Sequence, residues 1–356
     1  MALSTSHTLK AIDFFCGAGG MSYGLQEAGI VVLAGIDNSL DCRKTYLANI
    51  AGAKYIKHDI STLSAPDLGR RLGIKPEDDN LIFAGCSPCQ FWSKIRTDKT
   101  HSKRTAHLLK QFQKFIGYFR PGFIVVENVP GLYSRKNESI LPSFLAFLKR
   151  HGYVWADGVI NANHYGVPQN RMRYLLIATR LADRIDLPAA EADTGLTVET
   201  FIGVANGFER ISAGHRDCSD FLHSAAALSP KNLERIAMTK KSGGTRVAWR
   251  DREELQIPAY RSQDGIFRDV YARMFWDRPA PTITTRFNSF SNGRFGHPDE
   301  DRAISIREGA RLQTFPDTYV FRGSRLGSLA RQIGNAVPPE LARRIGLHFV
   351  AIHANG

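Results

Sequence analysis

The sequence predicts an α/β chain built on a doubly wound, largely parallel sheet, with a second, smaller domain attached. Three observations predict it. Short apolar runs alternate with helical periods, the first run opens into a glycine-rich turn, and the alternation lapses between Leu181 and Arg278 before it resumes. Residues 9–13 lead into Phe14-Phe-Cys-Gly-Ala-Gly-Gly20 and the helical run Met21–Ala28, after which Ile30–Ile36 is an apolar stretch ending at Asp37. This reads as strand, turn, helix, strand. Leu81–Ala84, Phe123–Val126 and Tyr174–Ala178 read as further buried strands, and His107–Phe119, Ile140–Arg150, Ser305–Leu312 and Pro338–Ile352 as helices. The expected partition is one discontinuous domain, 1–180 plus 279–356, and a second over 181–278.

Composition narrows the function. At 356 residues and 43% hydrophobic content a sizeable core is expected. No apolar run approaches the roughly 18 residues of a membrane span, and the opening ten residues lack the apolar stretch of a signal peptide, so a cytoplasmic protein is expected. Lys and Arg number 47 against 34 acids, a net charge of +13, which favours a polyanionic partner, nucleic acid first. Five unevenly spaced cysteines argue for reduced thiols over a disulfide framework.

Four segments carry chemistry. Asp13 to Gly20 lies between a strand and a helix, where glycines admit a ligand close to backbone and the helix N-terminus offers amides; Ser22 stands where a dinucleotide fingerprint has its third glycine. Asp37, ending the second strand, suits ribose hydroxyls. Gly85-Cys-Ser-Pro-Cys-Gln-Phe-Trp-Ser93 follows a buried strand and runs into a basic stretch to Arg104. Its Cys86 and Cys89 also fit a zinc half-site or a redox pair, although further ligands at similar spacing and a small redox domain are missing. Glu127 and Asn128 emerge at the carboxyl end of a buried strand, the edge on which doubly wound sheets carry ligands. Arg171 and Arg173, two apart, face one side if extended and could anchor a phosphate or polarise a base carbonyl.

Taken together and in this order, these segments resemble the cytosine-5 DNA methyltransferase family of the bacterial restriction-modification type, across essentially the whole chain outside Leu181–Arg278. Pro88-Cys89-Gln90 is similar to its nucleophile motif, Glu127-Asn128-Val129 to its base-contacting motif, and Gln169-x-Arg171-x-Arg173 to its paired arginines. Arg307 to Asp317 resembles the segment that organises the target-recognition region, and Gln332-Ile-Gly-Asn335 the last cofactor motif.

The resemblance implies an S-adenosylmethionine-dependent, Rossmann-like methyltransferase fold, with 181–278 as the target-recognition domain. It implies transfer of a methyl group to carbon 5 of a flipped-out cytosine through a covalent adduct of Cys89 with carbon 6, the product being S-adenosylhomocysteine. Cys89, Glu127, Arg171 and Arg173 are the implied catalytic group. Phe15, Gly17, Ala18, Gly19, Gly20, Asp37, Asn38, Asp59, Ile60, Pro88, Asn335 and Ala336 are the implied cofactor contacts, with no metal. Ser87 departs from the aromatic or proline more frequent before Pro88, and Asn38 from the large apolar residue of some relatives.

For DNA, Gln90, Ser93, Lys94, Arg96, Lys99, Lys103 and Arg104 are candidates on the closing loop. Arg246, Arg250, Arg261, Arg268 and Arg273 are candidates in the recognition region. A compact chain with one recognition region and no heptads is expected to act as a monomer, beside a companion restriction endonuclease that reads the same sequence without touching it. Three readings compete: a tRNA methyltransferase of the same fold, a catalytically silent DNA-binding protein, and a redox protein.

Overall fold

The computed structural model describes residues 8–87, 100–134, 139–192, 194–261 and 265–355, with backbone alone for 100–106 and 355. Its strands are β1 (Lys10–Phe14), β2 (Val31–Asp37), β3 (Lys54–Lys57), β4 (Leu81–Gly85), β5 (Phe123–Asn128), β6 (Val154–Asn161), β7 (Gln169–Asn170), β8 (Met172–Thr179) and β9 (Ala280–Pro281). The helices are α1 (Gly20–Glu27), α2 (Arg43–Asn49), α3 (Ala65–Leu72), α4 (Thr100–Phe119), α5 (Gly131–Ser134), α6 (Leu141–Arg150), α7 (Pro230–Met238), α8 (Ile306–Leu312), α9 (Leu326–Asn335) and α10 (Pro339–Asn355). Two compact units result: Met1–Tyr165, Met172–Ala192 and Ala336–Gly356 form one, Gly166–Arg171 and Asp193–Asn335 the other.

The first unit holds a sheet in the order β3-β2-β1-β4-β5-β8-β6. β3, β2, β1, β4 and β5 run parallel, while β8 is antiparallel to both β5 and β6. The order reverses between β1 and β4, so the carboxyl ends of β1, β2, β4 and β5 share one edge at a switch point. β6 escapes the sequence reading because an edge strand covered on one side carries Asp157 and Gly158 and shows no continuous apolar run.

Under the sheet, Phe14 packs edge-on to Phe83 and Phe112 at 5.0 and 5.1 Å between ring centres, so the residue before the glycine-rich turn is pinned by the core. Gly85 permits this packing, since a Cβ there would lie 2.5 Å from the Phe112 ring. α10 returns to pack on α1 by a similar economy of side chains. A Cβ on Gly20 would sit 2.1 Å from the Val337 carbonyl oxygen, and one on Gly24 2.2 Å from that of Pro339.

The second unit departs from the expected 181–278: 166–171 and 279–335 join it, while 181–192 stay with the first unit. The reason lies in polar side chains that serve backbone. Gln169 donates to the Leu312 carbonyl and accepts from the Ile283 amide. Arg307, fully buried, donates to the carbonyls of Asp220, Phe221, Pro316 and Tyr319. Arg302 bonds Glu308 through both terminal nitrogens and also reaches Glu300. Burial alone would raise the Glu308 carboxyl, but Arg302 outweighs it and holds the group down at about 2. Ser305 and Glu308 close a capping box at the start of α8.

The α1–α10 contact gives a stability test. Gly24→Ala drives a methyl into backbone at Pro339 and Arg343, neither of which can swing aside, and should cost about 1–3 kcal/mol in urea unfolding. Gly158→Ala, whose Cβ meets a leucine methyl at an ordinary 3.6 Å, is the control. Equal midpoints for the two variants would contradict the packing account.

Candidate active site

At the carboxyl end of β1 the chain turns sharply. Phe15 takes φ 65°, Gly17 50° and Gly19 93°, so three left-handed residues fold the segment back before α1, which begins without a side-chain cap. The Gly17 amide donates to Asp37 Oδ2 at 3.0 Å, and the Ser39 amide to Oδ1 at 2.8 Å. Burial raises the Asp37 carboxyl against the pull of the Ser39, Gly17 and Asn38 amides. Open space lies where a Cβ on Gly17 would point, whereas Gly20 is closed by Val337 and Ala336. The result is a backbone cradle with an acid fixed beside it and its remaining lone pairs available to hydroxyls. These features fit the adenosyl cofactor implied by the sequence. Asn38 and Asp59 are exposed nearby along the chain, Asp59 accepting from both the amide and the hydroxyl of Ser61, and Ile60 and Ala18 are buried.

Beneath the turn lies a group that the sequence reading missed as a functional support. Asp13 is fully buried and accepts from Ser22 Oγ at 2.7 Å. Ser22 Oγ also shares a hydrogen bond with Tyr46 OH, 3.0 Å away. Burial pushes the Asp13 carboxyl up to about 7, Ser22 opposing and the charge of Asp37 adding. The signal was in the sequence: Ser22 stands where a third glycine would otherwise be, with an acid nine residues before it.

The ends of β4 and β5 form the second half of the site. Asn128 Nδ2 donates to Ser87 O at 3.3 Å and Ser87 Oγ at 3.4 Å, while its Oδ1 accepts from Val129 N at 2.8 Å. The residue that leads into Pro88-Cys89 is thereby tied to β5. Arg173 reaches this end because β8 is antiparallel, with Tyr174 opposite Asn128. Its Nε lies 3.0 Å from Glu127 Oε1, the two side chains being 13% and 10% exposed. The pair is ionic without hydrogen-bond alignment, and Glu127 Oε1 accepts no hydrogen bond among the described residues. Burial, with the charges of Glu127 and Asp13 adding, pushes the Cys86 thiol up, which makes it a poor nucleophile.

Pro88, Cys89, Gln90, Ser93, Lys94, Arg96 and Lys99 lie outside the described residues, and Lys103 and Arg104 stand on α4 with only their backbone described. Three expectations are corrected. Arg171 does not share a face with Arg173, because the strand breaks between β7 and β8. Arg171 is 2% exposed and spends its guanidinium on the carbonyls of Ile283 and Gly334 within the second unit. Arg246 and Arg273 are not free for DNA. Arg273 is fully buried on the carbonyls of Ile236, Thr239, His297 and Glu300 and pairs with Asp301, and Arg246 is buried on those of Ile266 and Phe267. Arg250, Arg261 and Arg268 are exposed. Asn335 is exposed at the end of α9 in the second unit, and Ala336 is buried against Gly20 in the first.

Comparison with known proteins shows the family. The family model described as C-5 cytosine-specific DNA methylase matches residues 9–350. The chain is 38% identical over 340 residues to the Type II methylase M.HgiDII of Herpetosiphon aurantiacus, covering 94% of this chain and 93% of that one. It is 30% identical to the Type II methyltransferase M1.HphI of Haemophilus parahaemolyticus, covering 98% and 88%. The fold is shared with a solved candidate DNA modification methyltransferase from an E. coli prophage, at TM-score 0.73, 22% identity and coverage of 98% and 100%. The chain belongs to the C-5 cytosine-specific DNA methylase family, and its activity is that of a DNA cytosine-5 methyltransferase dependent on S-adenosylmethionine.

Proposed function

We propose that the protein methylates one cytosine, flipped out of a short specific duplex sequence, with Cys89 as nucleophile, and thereby protects DNA from a companion endonuclease. The observation that carries the reading is the junction of Asn128 with Ser87, which ties the residue leading into Pro88-Cys89 to β5, the strand that bears Glu127, while Arg173 pairs with Glu127 from β8.

Carbon 5 of cytosine is a weak nucleophile until carbon 6 is saturated. The Cys89 thiolate gives its electron pair to carbon 6, and the ring's displaced π pair moves towards carbon 5, N3 and O2. Glu127 shares a proton with N3 and Arg173 donates to O2, so both relieve the charge that develops. Bound S-adenosylmethionine supplies the sulfonium methyl that carbon 5 takes. A base then removes the proton on carbon 5, the double bond re-forms and the Cys89 thiolate leaves with its electron pair. Gly17, Asp37 and Ala336 form the cofactor side, with Phe15, Ala18, Gly19, Gly20, Asn38, Asp59, Ile60 and Pro88 as further contacts.

The second unit is the DNA-reading one in this proposal, with exposed Arg250, Arg261 and Arg268 towards the duplex and the basic stretch up to Arg104 closing on the flipped base. No helix among the described residues is long and apolar enough to cross a membrane. A cytoplasmic monomer is the working form we infer.

Labelled S-adenosylmethionine, offered with duplex DNA, single-stranded DNA or tRNA, tests the reading. Label should enter duplex DNA as 5-methylcytosine, vanish with Cys89→Ser and persist within a few-fold with Cys86→Ser. Label in tRNA alone would move the protein to RNA, and equal loss in both variants would favour the redox pair. Glu127→Gln should lower kcat about 10²–10⁴-fold while cofactor binding by calorimetry holds. An unchanged kcat would remove Glu127 from the chemistry.

Asp13 gives the pH dependence. Its folded pKa is raised to about 7 from 3.8, so the stability it contributes is fully present below about pH 4 and lost as pH rises through 7. Asp13→Asn should remove that slope, gaining on wild type by a few kcal/mol between pH 5 and 8, the order set by about 1.4 kcal/mol per pKa unit. Parallel stability curves for the two proteins across that range would refute it.

A further inference from the structure

Asp13 carries a charge that the fold leaves unanswered. Its side chain is fully buried, Oδ2 accepts from Ser22 Oγ, and Oδ1 accepts no hydrogen bond among the described residues. No Lys, Arg or His pairs with Asp13 or Asp37 among those residues, in a chain with 47 Lys and Arg against 34 acids. The groups that face Asp13 are neutral or acidic: Ser22 from α1, Tyr46 from α2 through Ser22, Asp37 from the end of β2, Cys16 from the glycine turn and Cys86 after β4. A Cβ on Gly35 would lie 2.5 Å from the Tyr46 ring and 2.6 Å from Cys16 Sγ, so ring and thiol close tightly against β2. Burial pushes the Cys16 thiol up with the charges of Asp13 and Asp37 adding, and the Cys86 thiol with those of Glu127 and Asp13. The charge of Asp13 thus reaches both the glycine turn and the end of β4.

Three acids end at this edge, and they are compensated unequally. Asp37 has both oxygens on amides, and Glu127 pairs with Arg173. Asp13 has neither a cation nor a partner for its second oxygen. Ser22 stands in the first turn of α1, which has no side-chain cap and no acid of its own there, so an ionised Asp13 supplies from β1 the negative charge that a helix start favours. The cofactor that fits the cradle of Gly17 and Asp37 is a sulfonium cation before reaction and a neutral thioether after it, its ammonium and carboxylate being the same in both. Asp37 already acts on Asp13, so a cation held beside Asp37 acts on it too, and without contact, since a low-dielectric interior carries charge further than water does. An opposite charge favours the ionised form of a buried carboxyl by on the order of one pKa unit, about tenfold in affinity.

We propose that Asp13 makes the site read the charge of its cofactor: ionised, it favours the sulfonium of S-adenosylmethionine over neutral S-adenosylhomocysteine, and it takes a proton from solvent when the cation is gone. The proposal rests on S-adenosylmethionine as the methyl donor. Asp13 is a positioning residue that acts through the turn and through charge, and Ser22 sets the pH at which it does so. Burial holds the free carboxyl at about 7 against the pull of Ser22. Well below that pH Asp13 is neutral and the two ligands are not distinguished by it. Above it Asp13 is ionised and the preference for the cation is fully present, and in between the cation expels a proton on binding.

The test is calorimetric titration of the full chain, without DNA, by S-adenosylmethionine and by S-adenosylhomocysteine between pH 5 and pH 8.5, in buffers of differing ionisation enthalpy. The ratio of the two affinities should move towards S-adenosylmethionine by about tenfold across that range. Near pH 6.5 S-adenosylmethionine should release about half a proton and S-adenosylhomocysteine none. Asp13→Asn should flatten the ratio and abolish the release, while affinity for S-adenosylhomocysteine stays within a few-fold. Ser22→Ala, which removes a donor to the ionised form, should move the midpoint of the ratio to higher pH, and this shift decides the matter should Asp13→Asn not fold. A ratio independent of pH in the wild-type protein, or equal proton release with both ligands, would overturn the proposal and leave the cofactor reading intact. So would release that persists in Asp13→Asn, which would assign it to Asp37. Failure of the wild-type protein to bind either ligand would remove the cofactor reading, and the proposal with it.

Discussion

A unit with little regular secondary structure must find donors for its loop carbonyls, and in the second unit buried arginines supply them. Each guanidinium offers five N–H groups in a fixed plane, so one side chain can satisfy carbonyls on several segments far apart in sequence. Arg273 joins carbonyls from residues 236 to 300, and Arg307 joins the turn at 220–221 to that at 316–319. Burying such a charge is costly, and desolvation drags Arg307 down to about 10. The structure accepts that cost because losing one guanidinium would strand several carbonyls at once. Arg302 meets the same problem with acids instead, and holds Glu308 ionised at the start of α8.

The first unit solves its backbone by the sheet and can therefore spend polar side chains on chemistry. Parallel β1, β2, β4 and β5 bring their carboxyl ends to one edge, which is why residues as distant as Asp37 and Asn128 end at the same edge of the sheet. Antiparallel β8 then adds an arginine from its amino end. A parallel strand in that position would present Thr179 at the edge instead of Arg173. The reversal of direction is thus part of the site.

Much of this was legible in sequence. Alternating apolar runs located β1, β2, β4, β5 and β8, and the glycine turn and the pairs Cys89 with Glu127 and Gln169 with Arg173 located the family. What escaped has a physical reason in each case. β6 is an edge strand that is half-buried along most of its length and carries Asp157 and Gly158. α2, β3 and α3 carry only two or three apolar residues each among charged and polar ones, so no period shows. Arg246 and Arg273 read as free cations because a sequence displays charge but not which carbonyls lack donors. The same blindness paired Arg171 with Arg173: spacing by two implies one face only if the strand is continuous, and here it breaks between them. The domain boundary moved for a related reason, since the residues after Pro279 regain helices but bond to the loops of the second unit.

Glu127 shows why the site is arranged as it is. A buried carboxylate oxygen without a hydrogen-bond donor is an expensive feature, and a fold selected for stability alone would fill it. Arg173 offsets the charge from 3.0 Å but leaves the directional bond unmade. In the proposed reaction N3 becomes basic as the thiolate adds to carbon 6 and draws the proton it shares with Glu127, so an N3–H donor to the carboxylate arises only then. In that reading an oxygen without a hydrogen-bond partner among the described residues stabilises the adduct more than the ground state, and such a difference lowers a barrier. The Arg173 contact keeps the side chain in place until the ring arrives, so the penalty is carried by the folded protein instead of by the reaction.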